Sequence, residues 1–353
     1  MSKPSRMRSS YYRGMSKPSP RSRPARMADV ARVAGVSHQT VSRVLNDFPG
    51  IRPETRRRVQ AAITQLGYRR NIAARTLAST RSKIIGVVAY GTSQFGPANV
   101  MLGLHAAAGS TPYTLAVAAL SEVSAGSFNA AVERLLEQRV EALIVLVPHR
   151  AVLRMAQSMD ADIPMVVVEG DLSATPLTAG VDQVQGARLA TRHLLDLGHE
   201  TVVHLAGPPD WSEAMARRDG WRAVLEESNR PVPPLRWGGD WSARSGYVTG
   251  RSLAREPGVT AVFAANDQMA LGLVHALRET GRRVPGDVSV VGFDDLPESE
   301  YFAPPLTTIR QDFGELGRRA MALVGRVLDG EVDASVPLVE ASLVVRESTT
   351  SPA

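Results

Sequence analysis

The spacing of apolar residues changes character once along the chain. From Met27 to Tyr68 apolar positions recur at helical intervals, and the spacing predicts three short helices. In the first, Val30, Val33 and Ala34 form the inward stripe. Gly35-Val36-Ser37 is a turn, and Ser37 is placed to cap a second helix running from His38 to Asn46, with Val41, Val44 and Leu45 on its apolar side. Pro49 and Gly50 break it. Pro53 opens a third helix, whose inward residues Val59, Ala62, Ile63 and Leu66 end at Gly67.

From residue 84 the pattern becomes short β-branched runs separated by helical stretches. The runs are Ile84–Ala89, Leu115–Ala119, Ala142–Val147, Met165–Val168, Val202–Leu205, Val259–Ala264 and Val288–Val291. Continuous apolar runs of this length are strands buried on both faces, as in a parallel sheet with helices above and below. The expected class is therefore α/β, doubly wound, following a small all-α domain. The 270 residues from 84 to 353 are enough for two lobes with a cleft between them.

Charge sharpens this division. Residues 1–83 hold 19 of the 41 Lys and Arg but only three of the 35 acids, an excess of 16 positive charges. The remainder has 22 basic and 32 acidic groups, an excess of 10 negative charges. A polyanionic partner is thus expected for the N-terminal piece alone. Residues 1–26 carry eight Lys or Arg, no acid and many Ser and Pro, and cannot form a core. Two readings stand for them: a flexible basic arm, or a sequence upstream of a true start at Met15 or Met27. The expected division is a disordered tail at 1–26, a small helical domain at 27–70, a linker at 71–83 and a two-lobed domain at 84–353.

On the second helix, His38, Gln39, Ser42 and Arg43 share one arc of about 140°, opposite Val41 and Val44. Two helices joined by a tight glycine turn, the second polar outward and flanked by positive charge, make a helix-turn-helix that enters a major groove. Arg can grip guanine and Gln adenine, each pair worth ~1–3 kcal/mol of discrimination. A solvated face of a small helical domain is the plainer reading, and the local charge favours DNA. Residues 71–83, NIAARTLASTRSK, favour helix but are too short to hold one alone, so the segment should be disordered unless something packs on it. Leu77 there is either a wedge for a minor groove or a linker leucine touching the next domain.

The run ADVARVAGVSHQTVSRVLND from Ala28, followed by TRRRVQAAITQLGYRRNIAARTLA from Thr55, resembles the DNA-binding domain and hinge helix of the lactose-repressor (LacI) family. The likeness continues through Gly239-Asp240-Trp241-Ser242-Ala243, AANDQMALG from Ala264, VSVVGFDD from Val288 and PPLTTIRQDF from Pro304. The resemblance implies a carbohydrate-responsive repressor whose two-lobed domain is similar to periplasmic binding proteins. It implies a homodimer on double-stranded DNA, at a pseudo-palindromic operator. Implied DNA contacts are Ser37, His38, Gln39, Thr40, Ser42, Arg43, Asn46, Thr55, Asn71 and Leu77, with His38, Gln39 and Arg43 reading bases and Leu77 intercalating. Implied contacts to a small sugar effector are Glu169, Arg217, Trp241, Asn266, Asp294, Gln311 and Phe313. Three departures matter. Arg26 stands where the family caps its first helix with Thr or Ser, which leaves that helix start without its usual cap. His38 replaces a tyrosine and Glu169 an aspartate of the type member. A leucine-rich tetramerisation tail does not follow Thr349-Thr350-Ser351, so a dimer is expected.

The residues alone point to the same cleft. Ligands of an open α/β sheet meet the carboxyl ends of its strands. Just past the apolar runs stand Tyr90, Pro148, Glu169, Gly207, Asn266-Asp267 and Asp294. Carboxylates and amides suit vicinal hydroxyls, and the Trp241 face suits the C–H side of a sugar ring.

Other classes are disfavoured. Cysteine is absent, which excludes disulfides, thiolate metal sites and cysteine nucleophiles. Lys3, Lys17 and Lys83 are the only lysines, so the two-lobed part has none for a Schiff base or a phosphate loop. The seven histidines lack metal-ligand spacing, and His199 and His204 read as structural. No metal and no cofactor is expected. No apolar run is long enough to span a membrane, and no apolar segment follows the basic N-terminus, so a cytoplasmic protein is expected. The rival readings are a carbohydrate-active enzyme carrying a helix-turn-helix, which carboxylates near a sugar would permit, and a non-regulatory sugar-binding protein.

Overall fold

Helical spacing at the start of the chain closes into a three-helix core. The computed structural model describes residues 25–68, 81–147, 149–159, 162–169, 177–331 and 334–352, which fall into two units, Met1–Thr80 and Arg81–Ala353. In the first unit α1 (Met27–Ala34), α2 (His38–Leu45) and α3 (Pro53–Leu66) pack around Val30, Ala31, Ala34, Val41, Val44, Val59 and Ala62. Gly35 takes the left-handed conformation that ends α1, and the Ser37 hydroxyl accepts the Thr40 N–H at 3.1 Å to cap α2. Two expectations are corrected. Val33 is not part of the core but 41% exposed. The start of α1 is secured although Arg26 cannot cap it, because the Asp29 carboxylate accepts the Arg26 N–H at 2.9 Å and sits where the helix dipole favours an acid. Asn71, Leu77 and the expected hinge helix lie outside the described residues.

The second unit begins with residues already tied to it. The Lys83 N–H donates to Glu141 at 2.7 Å, and Arg81 forms an ion pair with the same carboxylate at 3.8 Å. Its first lobe holds β1 (Ile84–Ala89), α4 (Phe95–Ala108), β2 (Thr114–Ala119), α5 (Ala125–Leu136), β3 (Ala142–Leu146), α6 (Arg150–Ser158), β4 (Met165–Val168) and β5 (Thr178–Ala179). The strands form a parallel sheet in the order β2-β1-β3-β4-β5, with Val87 beside Val117 and Ile144. Side chains alternate across it. Ile85, Val87 and Ile144 enter one apolar core, while Val88, Leu143 and Val145 enter another around Phe128. Burial on both faces explains the unbroken apolar runs.

The second lobe holds α7 (Gln183–Asp196), β6 (Val203–Leu205), α8 (Ser212–Glu227), α9 (Ala243–Leu253), β7 (Ala261–Ala264), α10 (Asp267–Glu279) and β8 (Ser289–Val291). Its parallel sheet has the order β6-β7-β8. A short antiparallel pair, β9 (Thr308–Arg310) and β10 (Ser342–Val344), follows, and α11 (Phe313–Leu328) returns to pack on α4. Strands β5, β9 and β10 are short and contain Thr, Arg or Ser, so no apolar run marks them. The doubly wound α/β class is as expected.

The chain crosses between the lobes at three neighbouring places. Val181 bridges Val339, with the Asp182 N–H donating to the Val339 carbonyl at 2.8 Å, and Arg310 bridges Asp294 just before α11 begins. Packing fixes where α11 starts. Gly103 of α4 lies so close that a Cβ there would stand 2.1 Å from the Phe313 carbonyl oxygen, and one on Gly317 would stand 2.2 Å from the Gly103 carbonyl carbon. Gly103→Ala should therefore push α11 off α4 and shift Phe313, costing ~1–3 kcal/mol. A melting temperature within a degree of wild type would contradict this close approach.

Candidate functional site

The C-terminal ends of the strands in both lobes face a cavity of about 280 Å³. Ser93, Gln94 and Phe95 line it from the first lobe; Trp211, Glu213, Arg217, Trp241, Asn266 and Asp294 line it from the second. Of the seven expected effector contacts, Arg217, Trp241, Asn266 and Asp294 meet here. Glu169, Gln311 and Phe313 meet Arg217 in a smaller recess of about 20 Å³, which shares Glu213 with the main cavity.

Arg217 organises the polar floor. It is 5% exposed, yet all three guanidinium nitrogens donate: Nε to Gln183 Oε1 at 2.9 Å, Nη2 to Asp294 Oδ1 at 3.4 Å, and Nη1 to the Ala265 carbonyl. Its guanidinium carbon sits 3.7 Å from the centre of the Phe293 ring and 5.5 Å from that of Trp241. Gln311 donates to Asp294 Oδ1 at 2.7 Å, and Gln183 donates to Gln311 at 2.7 Å and to Glu169 Oε2 at 3.3 Å. The Val181 N–H donates to Glu169 Oε1 at 3.1 Å. One connected network thus joins the end of β4, two crossings and the second-lobe sheet.

Asn266 caps α10 through its side-chain oxygen, accepting the Met269 N–H at 2.9 Å, and its amide donates to the Trp241 carbonyl at 3.1 Å. Trp241 presses on Gly207, where a Cβ would stand 2.3 Å from its ring. Trp211 meets Trp241 edge-on at 5.7 Å and Tyr90 at 6.3 Å, so aromatic rings form one wall. Glu169, Trp241 and Asp294 all have positive φ, at 57°, 74° and 108°. Backbone held in this region concentrates where geometry serves a ligand. Tyr90 and Gly207, expected from strand ends, are thus in place behind the wall; Pro148 lies outside the described residues.

Three residues escaped the sequence reading. Glu213 sits one turn before Arg217 on α8, a spacing that places both on one face. Trp211 stands at the N-cap position of the same helix without a side-chain capping bond, and Gln183 opens α7 straight after a crossing. Glu213 had a legible signal in its distance from Arg217; Trp211 and Gln183 had none.

Burial raises the acids. It pushes Glu169 up to about 7 and Asp294 up to about 6, against the pull of Arg217 and the hydrogen bonds, and it raises Glu213 well above the usual range with help from the Glu169 charge. Behind the cavity, Asp267 is pushed up to about 7 although it accepts from Thr308, Ser299 and the Leu296 N–H. The histidines read as structural are also placed. His199 bridges Thr260 and Thr350, and His204 lies between Trp221 and Phe263, its pKa lowered by burial to about 4.

In the first unit, Ser37, His38, Gln39, Arg43 and Asn46 are exposed, while Thr40, Ser42 and Thr55 are half-buried. The Arg43 guanidinium lies 5.4 Å from the Phe48 ring centre, and Arg56 pairs with Asp47 at 2.5 Å. Most of α2's outward polar residues are therefore open to a groove, and Thr40 is partly engaged with Ser37 at 2.9 Å.

These two units define a class: a helix-turn-helix unit followed by a two-lobed α/β binding unit. Residues 26–71 match the family model of bacterial regulatory proteins of the lacI family, and residues 191–349 match the model of a periplasmic binding protein-like domain. The chain is 35% identical to the lactose operon repressor of Escherichia coli (strain K12), over 94% of this chain and 92% of that one. It is 34% identical to the HTH-type transcriptional regulator CelR of Thermobifida fusca, over 90% and 96%. A lac repressor dimer bound to operator and the anti-inducer ONPF superposes with a TM-score of 0.85 at 34% identity, covering 93% of this chain and all of that one. A CelR–cellobiose complex superposes with a TM-score of 0.69 at 31% identity, covering 92% and all of that chain. The chain belongs to the LacI family of DNA-binding bacterial regulatory proteins.

The raised carboxyls carry a stability prediction. Unfolded Asp and Glu release their protons near pH ~4. Between there and about 6 to 7 the native chain holds protons that the unfolded chain has lost, so stability falls as pH rises through this window. The melting temperature of the second unit's transition should decline from about pH 5 to about pH 8. A transition that instead rises steadily over that range would show these acids to be ionised at little cost.

Proposed function

We propose that this chain is a cytoplasmic, sequence-specific repressor that binds a pseudo-palindromic operator as a homodimer and changes its operator affinity when a small sugar fills the cavity. The observation that carries this reading is the cavity itself: a polar floor centred on Arg217 and Asp294 beside an aromatic wall of Trp211 and Trp241. Hydroxyls would pair with the carboxylates and amides, and the ring face with an indole. The relatives described with ONPF, ONPG and cellobiose support a glycoside as effector. Among the described residues no helix is long and apolar enough to cross a membrane.

Residues 27–70 would supply the reading head, with Ser37, His38, Gln39, Thr40, Ser42, Arg43, Asn46 and Thr55 at the DNA. Residues 71–83 would form the hinge, with Asn71 and Leu77 at the minor groove, and residues 84–353 would dimerise and bind sugar through Glu169, Arg217, Trp241, Asn266, Asp294, Gln311 and Phe313. The network spans the lobe crossings, so a ligand that draws on Glu169, Gln311 or Asp294 acts on both lobes at once. It can shift the lobe equilibrium only by its differential affinity for the two arrangements. The chain's part is binding and release, without turnover of the sugar.

Two measurements test this reading. Operator affinity should fall steeply with salt, because Arg–phosphate contacts release counterions; a flat salt dependence would remove the DNA role of the basic unit. Asp294→Ala should leave operator binding in place while weakening sugar binding and abolishing the sugar's effect on it. An unchanged sugar response would exclude this cavity as the effector site.

A further inference from the structure

The cavity contains an acceptor and a donor that the protein does not satisfy. Glu213 Oε2 is sealed from solvent and has no hydrogen-bond partner among the described residues, and the same holds for Nε1 of Trp241, a residue 8% exposed. The other acids are served. Glu169 accepts from Val181 and Gln183, and Asp294 from Gln311 and Arg217. Arg217 is the only cation lining the cavity among the described residues, and each of its nitrogens already has an acceptor. Glu213, Asp240 and Asp294 line the main cavity, and Glu169 lies in the adjoining recess. Carboxyls therefore outnumber cations here, and Glu213, whose pKa burial raises so that it stays protonated in the empty cavity, keeps a buried oxygen unpaired among the described residues.

A hydroxyl donated to Glu213 would satisfy the oxygen and leave the carboxyl protonated. A protonated amine would instead displace that proton to solvent and pair with the carboxylate it leaves, and a buried carboxylate gains most from a charged donor. The neighbouring wall suits the same occupant, because indole faces attract ammonium groups. Trp211 stands two residues before Glu213 on the chain and meets Trp241 edge-on, so rings and carboxylate border the same space. The unpaired Trp241 N–H asks for an acceptor, which a ring or glycosidic oxygen of a sugar provides.

We propose that Glu213 makes this cavity selective for an amino sugar, the protonated amine seated against Glu213 and the tryptophan wall. This deepens the sugar-effector reading above and rests on it. Arg217 and Asp294 then hold the hydroxyls, and Glu213 discriminates an ammonium from a hydroxyl at one ring position.

The test compares two disaccharides of one linkage, cellobiose and the β-1,4-linked dimer of glucosamine, by calorimetry on the full chain near neutral pH. The aminated disaccharide should bind at least about tenfold more tightly. In Glu213→Gln, which preserves size and removes the charge, the two should bind alike. Equal or tighter binding of cellobiose by the wild type would overturn the proposal and leave the sugar reading intact. So would a preference that survives the substitution. Failure of both disaccharides and of glucose and glucosamine to bind would overturn the sugar reading as well. If Glu213→Gln does not fold, the wild type still decides. N-acetylation of the glucosamine dimer removes its charge and should abolish the preference, and an undiminished affinity would refute the role of charge.

Discussion

A guanidinium taken out of water must find acceptors for its N–H groups and something flat for its faces, or the cost of burying it unfolds the site. Arg217 meets that demand with residues from well-separated parts of the chain: the Ala265 carbonyl after β7, Asp294 after β8, Gln183 at the start of α7, and the ring of Phe293. Apart from the neighbours Phe293 and Asp294, no pair of these is close enough in sequence to meet by local folding. The arrangement therefore depends on both the second-lobe sheet and the crossing at residue 182. The site is polar because of this one group, and ordered because the group accepts few alternatives.

The network also explains why the cavity lies across the lobes rather than within one. Gln183 and Gln311 sit next to crossings, and each links an acid of one segment to a partner in another: Gln183 connects Glu169 with Arg217, and Gln311 connects Gln183 with Asp294. Amides suit this position because each offers a donor and an acceptor at once. They can exchange an internal partner for a ligand hydroxyl without leaving a charge behind. A connection made of Arg and Glu alone would hold the lobes more rigidly and respond less to a neutral ligand.

Much of this was legible in the sequence, unevenly so. The three helices and most strands of the two sheets follow from apolar spacing, because those elements bury whole faces. Strands β5, β9 and β10 do not, since their order comes from neighbours at the crossings rather than from their own residues. Arg217 illustrates the same limit: beside Arg218 it reads equally as a surface charge, and only the fold shows that one of the pair is buried while the other turns to Asp219. Val33 fits the inward stripe of α1 by spacing, yet an eight-residue helix has room to bury only one narrow face. Asp29 shows the opposite case. The sequence lacks a capping hydroxyl at Arg26, and the acid three residues on secures the helix start another way, by accepting the Arg26 N–H.

Glu213 marks where pattern reading stops and chemistry begins. Its position one turn before Arg217 predicts a shared face, and a salt bridge between the two would be the ordinary outcome. The guanidinium instead spends its donors on Ala265, Gln183 and Asp294, leaving Oε2 of Glu213 unpaired beside two indoles. An acid that merely stabilised the fold would have been drawn into the network, since every other carboxylate in the cavity floor was. A carboxyl kept out of it, sealed from water and facing the ligand space, is held at an energetic cost that the empty cavity does not recover. A protonated amine from outside the chain would recover it, displacing the carboxyl's proton and pairing with the carboxylate that remains.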